Sequence, residues 1–175
     1  FANLAKAAQK YRADLVIIET MSDSLETKAA LLAVKENTQL PVFVSNAYGE
    51  DGKLMTGASP AAMVAMLEAM GADAIGVNCS LGPDQLVGVV NEYLSCSSVP
   101  VLVKPNAGLP RLENGRTVYD ISEEQFAEYM KQYAEAGARF LGGCCGTNPE
   151  YIAKIVEKTA GLEPVEIEEK NRTVI

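Results

Sequence analysis

Apolar residues along the chain fall into two patterns that alternate almost to its end. Unbroken apolar runs at 14–20 (DLVIIET), 41–47 (PVFVSNA), 73–79 (DAIGVNC), 99–105 (VPVLVKP) and 139–144 (RFLGGC) predict five strands. Their hydrophobicity falls on successive rather than alternate residues, which predicts parallel strands covered on both faces. Between the runs, apolar positions recur at helical spacing, as at Leu86, Val89, Val90 and Leu94, or at Phe126, Met130, Tyr133 and Ala134. These stripes predict helices that each bury one face.

The helix boundaries are marked too. Asp23 with Glu26, and Ser122 with Gln125, have capping-box spacing, while Ser59-Pro60 and Asn148-Pro149 set proline directly after an N-cap. Gly71, Gly137 and Gly161 stand where helices would stop. The first residues, FANLAKAAQKYRA, read as a helix with no strand ahead of it, as if cut from a longer chain. Helices and strands thus alternate throughout, which predicts an α/β fold with a parallel sheet and right-handed crossovers. On count alone five strands suit a doubly wound sheet, because a (β/α)8 barrel needs three more and about 250 residues. Residues 106–121 (NAGLPRLENGRTVYDI) break the rhythm, and a long Gly/Pro/polar connection of this kind predicts a lid or binding loop. The domain is expected to span 1–162, with 163–175 an acidic tail or linker without periodicity.

Composition narrows the chemistry. At 175 residues and 48% hydrophobic content the chain can bury a sizeable core. A net charge of -8 and no dense basic cluster argue against nucleic acid or an anionic membrane surface as partner, and favour a small-molecule ligand. No apolar run approaches the roughly 20 residues that a membrane-spanning helix needs. Four cysteines are too few for a disulfide-stapled secreted domain and point to a reduced, cytoplasmic setting.

Three of those cysteines share a face. In parallel α/β folds ligands bind beyond the C-terminal ends of the strands. Cys79 ends the third run and Cys144-Cys145 end the fifth, whereas Cys96 falls at the far end of the returning helix. A five-residue strand spans about 16 Å, and zinc holds a thiolate at about 2.3 Å. Cys96 therefore cannot join the other three, and it reads as a small, partly buried apolar residue. The chain has no histidine. Three thiolates suit zinc with one open position, and the matching fourth ligand is the sulfur of a substrate thiol. Such coordination deprotonates the bound thiol and keeps it nucleophilic, which suits alkyl transfer to sulfur. Two alternatives stay open for GGCCG, a redox-active vicinal pair and a phosphate cradle at a helix N-terminus.

The segments IETMSDSLETKAAL, GADAIGVNCSLGP, PVLVKPNAGLP, TVYDISEEQFAEY and GGCCGTNPEYI closely resemble the homocysteine S-methyltransferase domain family. The resemblance is nearest to the N-terminal module of cobalamin-dependent methionine synthases. It implies a (β/α)8 TIM-type barrel, of which the five runs are strands four to eight. The first three strands, with a glycine-containing segment for the substrate carboxylate, would be a separate N-terminal part. It implies zinc on Cys79, Cys144 and Cys145, homocysteine as the fourth ligand, and Glu19 as acceptor of the homocysteine amino group. Glu19 suits that role physically: it ends an apolar strand with no basic residue nearby in sequence, so a substrate ammonium would supply its counter-charge. An ion pair with a distant Lys or Arg is the alternative, and Lys104 and Asn106 could orient ligands or cap strands. The implied reaction gives methionine, with methylcobalamin as donor on another module and methyl-tetrahydrofolate on a further one. Betaine and S-methylmethionine stay open as donors. The competing reading is a non-catalytic barrel segment that functions only with its missing N-terminal half.

Overall fold

The computed structural model describes residues 1–170. Its elements run α1 (Ala2–Lys10), β1 (Val16–Met21), α2 (Ser24–Asn37), β2 (Val42–Asn46), α3 (Pro60–Ala69), β3 (Ala74–Asn78), α4 (Val87–Cys96) and β4 (Val101–Lys104). They continue with β5 (Arg111–Glu113), β6 (Arg116–Val118), α5 (Glu123–Ala136), β7 (Phe140–Leu141) and α6 (Pro149–Thr159). Five strands pair in parallel in the order β1-β2-β3-β4-β7. Spatial order thus follows chain order and no strand crosses back. That corrects the doubly wound arrangement, which requires a reversal of strand order. It is the order of a (β/α)8 barrel, and the sheet is a partial barrel.

Sequential winding puts the helices in one layer. Each packs on the next, α1 on α2 through to α5 on α6. The strand side chains facing that layer, among them Val42, Val44, Ile75, Val77 and Val103, are fully buried. Apolar burial of this size is the dominant favourable contribution to folding. The other face is the concave side, where the rings of Phe43 and Phe140 meet at 4.7 Å. Covering on both faces holds for the central strands only, since Ile17 on edge strand β1 is 48% exposed.

Polar contacts fix where each helix leaves the sheet. The Asp23 carboxylate accepts from Glu26 N–H at 2.8 Å, and Asn148 accepts from the N–H groups of Glu150 and Tyr151. At Ser122 and Gln125 the capping box is reciprocal. Each cap contributes about 1 kcal/mol and sets the entry of the chain into its helix. Gly137 closes α5 in the left-handed conformation, φ 117°.

Two irregularities shape the ligand-facing end. Between Ile18 and Met21 the register of β1 against β2 slips, and Thr20 takes φ 61°. A bulge of this kind re-aims side chains next to a site. In the expected loop 106–121, β5 and β6 form an antiparallel hairpin. Its turn is Asn114-Gly115, with φ 50° and 74°, the conformation that Asn-Gly favours between paired strands. Residues 163–170 form no regular element, yet the Lys170 N–H donates to Ser98 Oγ at 2.8 Å; the rest of the expected tail lies outside the described residues.

Candidate metal centre

Two turns bring the cysteines together. Cys79 follows β3 and, with Ser80, takes φ 61°, a conformation costly for residues with side chains. It is held there because its N–H donates to the Lys104 carbonyl at 3.0 Å and its own carbonyl accepts from Leu81 N–H at 2.8 Å. Beyond β7 the Cys144 N–H donates to the Pro105 carbonyl at 2.8 Å, and the Cys145 N–H to Asn106 Oδ1 at 3.1 Å. The end of β4 and the loop after it therefore template the two thiol-bearing turns. The glycines follow from crowding: a Cβ on Gly143 would lie 2.5 Å from Thr147 Oγ1, and one on Gly146, at φ 81°, 2.4 Å from the Tyr119 ring.

The three Sγ atoms all lie within 4.8 Å of one another, with Cys79 and Cys145 3.7 Å apart. Tetrahedral zinc with bonds of about 2.3 Å has sulfur–sulfur edges of about 3.8 Å, so the donor set fits that ion. This is the only such group of potential ligands among the described residues. Cys96 ends α4, part-buried against the core and outside the cluster, as its position in sequence predicts.

Behind the thiols, Asn78 is fully buried and saturated. Its Oδ1 accepts from Thr20 N–H at 2.8 Å and from Ser45 Oγ at 2.6 Å. Its Nδ2 donates to Thr20 Oγ1 at 2.7 Å and lies 3.8 Å from Cys144 Sγ. Three strand ends are thereby tied to one cysteine. Glu19 sits on the same concave mouth, where its carboxylate is paired with the Lys104 ammonium. The Glu19 side chain is 52% exposed. Glu19 is thus not the buried carboxylate expected from sequence, and a residue 85 positions away supplies its cation.

Residues 1–159 match the homocysteine S-methyltransferase family along nearly the whole chain. The chain belongs to that family. It is 34% identical over 154 residues to the methionine synthase of Mycobacterium leprae and 32% identical over 157 residues to that of Mycobacterium tuberculosis. These matches cover 85% and 86% of this chain but only 13% of either relative. Among solved structures, the metallated form of the homocysteine methyltransferase MmuM from Escherichia coli superposes with a TM-score of 0.70 at 23% identity. That match covers 90% of this chain and 52% of the other, and it bears on the fold.

In this homocysteine S-methyltransferase domain the sequence singled out the thiols and Glu19 but missed two partners. The Asn78–Ser45–Thr20 network has only a faint signal, an asparagine at the end of an apolar run. Tyr119 has none beyond its place in the long loop. It follows β6, covers Gly146, and stands beside the thiols: burial, and then the neighbouring Cys145, raise its phenol above the ordinary range. Among the described residues no helix is long and apolar enough to cross a membrane.

Proposed function

We propose that this domain catalyses zinc-dependent methyl transfer to the thiol of homocysteine, giving methionine, as one module of a methionine synthase. The observation that carries the reading is the spacing of Cys79, Cys144 and Cys145, three thiols within 4.8 Å of one another, one pair at 3.7 Å, with no fourth protein ligand grouped with them among the described residues. Zinc bound there would hold a substrate thiol as the nucleophilic thiolate at neutral pH. The chain's own residues do the rest. Asn78 orients Cys144, and Asn106 fixes the backbone of Cys145. Glu19, on the same mouth, receives the homocysteine ammonium. Tyr119 packs over the turn and screens one side of the thiols from water.

Methylcobalamin, presented by a separate module, is the donor this reading requires. Methyl-tetrahydrofolate would recharge it on another, and the strands completing the barrel would come from an N-terminal segment. The small fraction of each methionine synthase that the chain spans supports a modular arrangement. Methyl transfer from methylcobalamin to homocysteine, assayed with and without that N-terminal segment, tests the proposal: methionine formed only with homocysteine and zinc supports it, and none in either case overturns it.

Two further results are expected. Glu19→Gln should weaken homocysteine binding by at most about 1 kcal/mol, because the half-exposed carboxylate already holds the Lys104 ammonium and the substrate gains only the difference. Titration calorimetry reads this, and zinc content should stay unchanged. The second concerns pH. Burial, and then the adjacent Cys79, raise the Cys144 thiol, against a smaller opposing effect of the Asn78 amide. Zinc takes the thiolate, so at neutral pH it must displace the Cys144 proton, and affinity rises with pH until that thiol ionises unaided. Competition with a chromophoric chelator should show about a tenfold gain per pH unit for each proton displaced. A flat profile between pH 6 and 8 would contradict thiol ligation.

A further inference from the structure

Lys104 is the cation on Glu19, and its surroundings make the contact more than a surface pair. It ends β4, its carbonyl holds the Cys79 N–H, and a Cβ on Gly142 would come within 3.2 Å of its Cγ. The backbone of Lys104 is thus tied to the Cys79 turn, and its stem runs along Gly142 at the start of the other thiol-bearing turn. From there the ammonium reaches over β3 and β2 to edge strand β1. Register places Lys104 beside Asn78, at the level of the polar network under the thiols. The Lys104 side chain is only 18% exposed, so it lies along the concave mouth and not out in solvent.

We propose that Lys104 is a specificity-determining residue that occupies, on Glu19, the place of the substrate's α-ammonium, so that an amino-thiol binds by displacing it. This rests on the homocysteine reading above. The exchange is one ammonium for another on a single carboxylate, so the charge at Glu19 is balanced before and after. The entering ammonium therefore gains only the difference between two similar contacts. The displaced lysine, on its flexible four-carbon stem, swings its head to water. A thiol without an amino group leaves the Lys104–Glu19 pair intact and gains nothing from it. Lys104 thereby sets how strongly the site prefers amino-thiols over plain thiols.

Calorimetric titration of the zinc-loaded protein with homocysteine and with 4-mercaptobutyrate, which lacks the amino group, tests this. Lys104→Met keeps the length and the packing on Gly142 and removes the charge. It should tighten homocysteine about two- to fivefold, the worth of a partly exposed ion pair, and change 4-mercaptobutyrate by less than about twofold. Lys104→Gln should act in the same direction, which guards against a folding defect in one variant, and zinc content should match the unsubstituted protein in both. Equal tightening of the two thiols would make Lys104 a mere obstruction and overturn the proposal. Weaker homocysteine binding would place Lys104 on the substrate carboxylate instead and also overturn it. If the unsubstituted, zinc-loaded protein binds neither thiol, the homocysteine reading itself fails, and this proposal with it.

Discussion

Cys79→Ser is expected to abolish zinc retention and methyl transfer together, while Cys96→Ser should leave both near the level of the unsubstituted protein. Serine keeps the size of the side chain but replaces a soft, ionisable sulfur with a hydroxyl that stays protonated at neutral pH. The loss in metal affinity should exceed about a hundredfold, because even changes to residues that only support metal ligands cost ten- to a hundredfold. Cys96 is the control that makes the result specific. It is equally a cysteine and also part-buried, but it stands at the end of α4 and outside the thiol cluster. Metal analysis after dialysis, beside a methyl-transfer assay, reads both quantities. Equal loss of zinc from the two variants would contradict the placement of the site.

The second large effect is expected within the sheet, at a residue that touches no thiol. A Cβ on Gly76 would lie 1.9 Å from the carbonyl oxygen of Leu102 and 2.7 Å from its carbonyl carbon. Both belong to backbone of the neighbouring strand, which cannot rotate away. Gly76→Ala must therefore push β3 and β4 apart in the middle of the sheet. The cost should reach at least about 3 kcal/mol, the upper end for overpacking, against a total stability of about 5–15 kcal/mol for a domain. Because β4 carries Lys104 and leads into Pro105 and Asn106, whose backbone or side chain holds both cysteine turns, the metal site should loosen as well. Gly88→Ala is the matched control: nothing lies within 4 Å of its Cβ, it sits in α4, and alanine there should stabilise by about 0.5 kcal/mol. Denaturant midpoints of the two variants should move in opposite directions.

What the amino-acid pattern revealed and what it hid divide along sequence separation. The parallel strands and their helices are local patterns: four of the five strands lie within the apolar runs, and β1 passes the end of its run by one residue, Met21. The last run, 139–144, pairs as a strand only over Phe140–Leu141; beyond it the Gly142 N–H bonds the Val103 carbonyl of β4 and the Cys144 N–H the Pro105 carbonyl of the loop that follows. The hairpin was missed: residues 106–121 read as a loop because of their Gly/Pro content, although Asn114-Gly115 is a strong turn signal. The strand order was not legible from periodicity, because both barrel and doubly wound sheets show the same alternation; the family resemblance decided it. Convergence of Cys79 with Cys144 and Cys145 followed from a rule about strand ends and needed no coordinates. The Glu19–Lys104 pair and the Asn78 network did not. They join residues 33 to 85 positions apart, across strands whose neighbours the pattern leaves unspecified.

The central claim is that Cys79, Cys144 and Cys145 hold zinc with one position free for the sulfur of homocysteine. X-ray absorption at the zinc edge tests it most directly. The account predicts three sulfurs at about 2.3 Å and one lighter ligand without substrate, becoming four sulfurs when homocysteine is added. A shell already complete with protein ligands, or one whose sulfur count stays unchanged on adding homocysteine, would contradict it.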